Sequence, residues 1–135
     1  MKNYLMSAME EIAGSNQYTS EQKQSKIEGS LIAELVENEL DAVPSSVWVH
    51  DHDGILAIAK FDKFDGLDDG DCLYVHINYN PYLGVTRWVL TVYVVPSDKA
   101  SCEHAKAFTD IHGTHAKSVF ADVIGLIKET VAAAQ

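Results

Sequence analysis

The chain has 135 residues, with twenty Asp and Glu against ten Lys and Arg, for a formal net charge of −10. That length fits a single domain, 1–135, able to bury roughly two-thirds of its unfolded surface without disulfide or metal staples. The charge repels polyanions and argues against direct nucleic-acid binding; with Arg87 as the only arginine, bidentate phosphate recognition is nearly absent too.

No stretch reaches the ~18 consecutive apolar residues that a bilayer span needs. The opening MKNYLMSAMEEIAG carries glutamates where a signal peptide would carry its apolar segment. A cytoplasmic protein without membrane contact is expected. Cys72 and Cys102 are the only cysteines and lack the paired spacing of zinc or redox motifs, so both are expected to be buried free thiols.

Tyr4, Leu5, Ala8 and Ile12 recur at helical spacing, and GSNQ then breaks the pattern. Thr19 followed by Gln22 has the form of a capping box. It opens a second helix over 19–41, with Ile27, Leu31, Ile32, Leu35, Val36 and Leu40 on its apolar face and glutamates on the other. After Pro44 the period changes from 3.6 to 2, and β-branched and aromatic residues increase. Four strands are predicted near 46–51, 54–61, 71–79 and 87–95, joined as an antiparallel meander. Beyond Pro96, the spacing of Ala105, Phe108, Ile111, Val119, Val123, Leu126 and Ile127 predicts a helix or helix pair packed on one face of the sheet. The expected fold is α+β: two N-terminal helices, a four-stranded meander and C-terminal helix.

Several residue groups bear on function. Asp53-Gly54 reads as a two-residue hairpin turn, which sets His50 opposite Ala57 and puts Trp48, His50 and His52 on one face. Two histidines at i and i+2 can share a metal only if further ligands reach them. His76 on the third strand is one candidate. His112 and His115, at i and i+3 of the predicted C-terminal helix with His104 and Phe108 on the same stripe, are others. His112-Gly113-Thr114 resembles the His-x-Thr motif of two-histidine phosphoesterases, but those need two copies on strands and this chain has one. A pocket between sheet and helix lined by Trp48, Tyr74 and Tyr93 is a third arrangement.

The stretch 61–73 holds Asp62, Asp65, Asp68, Asp69 and Asp71 without the ligand order of a calcium-binding loop. It reads as a solvated turn suited to contact with a basic surface. Tyr79, Tyr82 and Leu83 lie in or beside a loop with Pro81 and Gly84, and aromatic side chains there suit an interface. No complete catalytic constellation is present. The expected function is therefore a non-catalytic, cofactor-free acidic protein of inhibitor, immunity or chaperone type that docks on a basic protein partner, of which nucleic-acid-binding proteins are one class. A histidine-based metal-dependent enzyme is the alternative, and a homodimer is compatible with either.

Overall fold

The computed structural model describes residues 3–51, 53–99 and 101–135. Asn3 caps helix α1, Tyr4–Ala13, by accepting from the Met6 N–H, and Leu5, Ala8, Met9 and Ile12 form its buried stripe. The capping box at Thr19 is present in both directions, with Gln22 N–H donating to the hydroxyl and Thr19 N–H donating to the Gln22 side chain. It starts α2, Ser20–Glu37. That helix ends in a Schellman motif: Leu40 N–H reaches the Leu35 carbonyl, Glu39 N–H reaches Val36, and Glu39 takes φ of 60°. Val36, expected on the apolar face, is exposed, because the buried stripe runs through Ile27, Leu31, Glu34 and Leu35 and Val36 stands about 100° further round the helix.

Five strands form one antiparallel sheet in the order β1-β2-β3-β4-β5: β1 Ser46–His50, β2 Ile55–Phe61, β3 Asp71–Tyr79, β4 Trp88–Pro96 and β5 Ala107–Gly113. The helices cover one face. Val47, Phe61, Leu73, Val75, Leu90 and Val92 point inward there and pack against Leu5, Met9, Leu31, Leu35, Phe120 and Ile127. A short helical turn α3, Ala116–Val119, leads into α4, Val123–Ala133, which Asp122 caps through the Gly125 N–H. The α+β class, the two N-terminal helices and the meander are as the periodicity predicts.

Two predicted features are corrected. The segment expected to begin the C-terminal helix is the fifth strand, with Ala107, Thr109 and Ile111 turned toward the helices and Phe108, Asp110 and His112 turned away. Strand β4 would otherwise leave a row of backbone donors and acceptors unpaired, and the alternating β-branched residues of 107–113 supply their partners. The first hairpin is also shifted. His50 stands opposite Leu56 and Trp48 opposite Ile58, so the connection is one residue longer than a two-residue turn. Asp53 has φ of 58° and Gly54 φ of 150°; a methyl on Gly54 would collide with the Tyr79 carbonyl.

Candidate functional site: an acidic pole and an open sheet face

The predicted site residues separate into three places. The first is the end of the sheet where β1 begins, β2 ends and β3 begins, since Ser46 pairs with Lys60 and Phe61 with Leu73. Asp62, Asp65, Asp68 and Asp69 are exposed there. The C-terminal end of α2 reaches the same end, because Lys23 near its start pairs with Asp51 at the far end of β1. Exposed Glu37, Glu39 and Asp41 therefore join the aspartates, with Val36 and Val43 exposed among them. The last turn of α2 has no basic residue, so these acids face the negative end of a helix dipole, an unfavourable placement.

Asp71 differs from its neighbours. Its side chain is 4% exposed and takes Lys106 Nζ at 2.9 Å on each carboxylate oxygen, so it joins the β2–β3 loop to the start of β5. Beneath the pole, the buried Glu34 carboxylate accepts the Leu5 N–H at the start of α1. Burial pushes its pKa up, with Glu37 adding to the rise and the Leu5 hydrogen bond opposing it. The cleft of about 80 Å³ beside it, lined by Asn3, Glu34, Asn38 and Asp122, has room for only a few waters and is far below the size of a cofactor site.

The second place is the opposite end of β3. Asn80 caps a 3-10 segment, Pro81–Thr86, in which Gly84 has φ of 58°. Tyr82 is 80% exposed, and Leu83 and Val85 are exposed with it. Tyr79 instead packs on Trp88 with ring centroids 4.3 Å apart and belongs to the sheet. The nine residues of β3 separate this apolar knob from the acidic loop, a distance of about 27 Å at ~3.4 Å per residue.

The third place lies between them: the sheet face turned away from the helices. Its middle row runs Trp48, Ile58, His76, Thr91, Asp110 across the five strands. Below it run Lys60, Tyr74, Tyr93 and Phe108, and above it His50, Leu56, Asn78, Val89 and His112. Tyr74 stacks on Tyr93 at 5.1 Å and Tyr93 on Phe108 at 6.2 Å, forming an aromatic ladder. His76 Nε2 lies 3.0 Å from the Tyr93 hydroxyl. Burial lowers the His76 pKa and, with Tyr74 and Cys102 nearby, pushes Tyr93 up to about 12. The 3-10 turn Cys102–His104 lies on β4 and shields one corner, where Tyr93 and Val95 are buried. The rest is open: Trp48 is 43% and Phe108 51% exposed. Trp48, Tyr74 and Tyr93 thus line no pocket under a helix, since they face away from the helices.

The histidines do not converge. His50 and His76 share the open face, but they stand two strands and one row apart, about 12 Å at ~4.8 Å per strand and ~3.4 Å per residue. His112 shares the face too, yet lies two strands beyond His76 and is hydrogen-bonded to Asp110 at 2.5 Å. His115 precedes α3 as its N-terminal flanking residue, and His52 lies outside the described residues. The helical stripe of His104, Phe108, His112 and His115 does not exist, because 107–113 is a strand. Among the described residues no group of three His, Cys, Asp or Glu side chains is placed to hold a metal. Of the two cysteines, Cys72 is buried in β3 as expected, whereas Cys102 is exposed. Among the described residues no helix is long and apolar enough to cross a membrane.

Comparison with protein-family models, with curated proteins and with solved structures found no match.

The sequence pattern marked the acidic loop and the knob but missed three features: Val36 and Val43 at the pole, Val85 in the knob, and the open face itself. Only the face carried a readable signal. In the middle of β2, Leu56 and Ile58 point outward and only Ala57 and Ala59 inward, so there the larger apolar side chains lie on the side without helices.

Proposed function

We propose that this chain is a non-catalytic protein-binding protein that docks its acidic pole on a basic surface of another protein. One observation carries the reading: acids from two separate segments, Glu37 to Asp41 and Asp62 to Asp69, converge at one end of the sheet around exposed Val36 and Val43. Acids at a helix C-terminus cost the monomer stability, and a cationic partner would offset that cost. The charges would speed association and select the partner, while the valines would supply buried apolar area. A nucleic-acid-binding protein is one class of partner with such a surface, and inhibitor, immunity and chaperone roles all fit this chemistry.

The test is capture from host extract at low and high salt, with Asp68→Lys plus Asp69→Lys as the comparison. The expected partner is retained at low salt, is released as salt rises, and is lost by the double variant, with binding weakened roughly 10-fold or more. A partner held equally at both salts, or held equally by the double variant, would sink this reading.

A further inference from the structure

The acidic pole leaves the open sheet face without a role, and that face differs from the rest of the molecule in charge. Its three rows contain one lysine, Lys60, and one aspartate, Asp110, whose formal charges cancel in a chain of net −10. A basic partner has nothing there to neutralise. A second copy of the chain, repelled by the acidic pole, meets no net charge on this face. The outward Leu56 and Ile58, with the half-exposed Trp48 and Phe108 on the two edge strands, give it the apolar side chains that sheet-on-sheet packing uses.

We infer that two copies of this chain pack face to face through the open side of the sheet, related by a two-fold axis that sends their acidic poles to opposite ends. Charge selects that axis. A two-fold parallel to the strands would stack pole on pole, whereas one perpendicular to them separates the poles by about the length of β3, roughly 27 Å, well beyond the ~8 Å screening length at physiological salt. The same rotation brings the chain's only arginine, Arg87 at the knob end, to the partner's acidic end. The size is adequate. Five strands and three rows cover a footprint of roughly 500 Å² before side-chain relief is counted, of the same order as the ~800 Å² of accessible surface that each partner buries in a stable interface. The middle row maps onto itself, so His76 of one copy lies near His76 of the other, and Asp110, bonded to His112 at the sheet edge, lies near its own copy.

Sedimentation equilibrium on the full chain at about 50 μM, at low and high salt, tests this. A dimer that persists at high salt is expected, in contrast to the salt-sensitive docking of the pole, so the two readings can fail separately. Phe108→Lys and Trp48→Lys replace exposed side chains and should each weaken the dimer roughly 100-fold with unchanged circular dichroism. Tyr82→Lys, on the knob, should leave it intact. A wild-type monomer at this concentration, or a dimer that survives both face substitutions, overturns the inference.

Discussion

The acidic pole and the open sheet face share strands β1 to β3, yet they spend stability differently. The pole places Glu37 and Glu39 at the negative end of α2 and puts a glutamate, rather than glycine, in the left-handed position that ends the helix. The face is locally well satisfied: its aromatic ladder is stacked, and its two central polar side chains, His76 and Tyr93, bond each other. The difference teaches that electrostatic frustration and uncovered apolar surface are separate signs of a missing partner. The first calls for opposite charge, and the second for area.

The largest expected effect separates structural acids from free ones within the pole. Lys106→Met leaves the buried Asp71 carboxylate without its cation, and this should cost about 2 kcal/mol, below the ~3–5 kcal/mol of a fully buried pair because Lys106 itself is half exposed. Asp68→Asn and Asp69→Asn on the same loop should leave the urea midpoint unchanged or raise it slightly. If Lys106→Met unfolds at the wild-type midpoint, Asp71 is not structural and belongs with the docking acids.

A smaller effect bears on the frustration itself. Glu39→Gly removes a side chain from φ of 60° and an acid from a helix C-terminus, which together should add about 1 kcal/mol of stability. Capture of the basic partner should weaken in the same variant. Gly29→Ala is the control. It is exposed in the middle of α2, an added methyl meets nothing within 4 Å, and it should also gain up to about 1 kcal/mol without touching the pole. Equal partner capture by both variants would show that Glu39 is only an imperfect cap.

Much of this architecture was legible in the residues. Thr19 and Gln22 announced the start of α2, and alternation from Ser46 onward announced four strands and the shared face of Trp48 and His50. The fifth strand was not legible for a definite reason: His104, Phe108 and His112 are spaced by four, and four is a step of both a helix face and a strand face. Thr109 and Ile111, which favour the strand, were outweighed until the open edge of β4 demanded a partner. The one-residue shift in the first hairpin had the same cause in miniature. Asp53-Gly54 suits a two-residue turn, but register also depends on which side of β2 faces the helices, and the inward row of β2 accepts Ala57 and Ala59 beneath α2. As for the site, the acidic loop was readable from composition, whereas Val36 appeared apolar by spacing but lies beside, not on, the buried stripe of Ile27, Leu31 and Leu35.

The smallest effects, and the ones that contrast the two regions most directly, are in pH. Glu34, under the pole, has its pKa raised above the ordinary 4.5 by burial, so the native state holds this proton more tightly than the unfolded chain. Its contribution is therefore fully present below about 4.5 and is lost as pH rises through the raised native pKa. His76, on the face, has its pKa lowered from 6.5 by burial, so the unfolded chain binds that proton more readily. Its contribution is present above about 6.5 and is lost as pH falls through the lowered native pKa. The two slopes have opposite signs, that of Glu34 beginning at about 4.5 and that of His76 ending at about 6.5. Relative to wild type, the melting temperature should lose its fall with pH just above about 4.5 in Glu34→Gln, and lose its rise just below about 6.5 in His76→Gln, whose amide keeps a partner for the Tyr93 hydroxyl. A dimer that buries the face would depress the His76 pKa further, so the His76→Gln difference should grow with protein concentration while the Glu34→Gln difference should not. Concentration dependence in both, or in neither, would mean that the pole and the face are not the independent surfaces that their charge and packing describe.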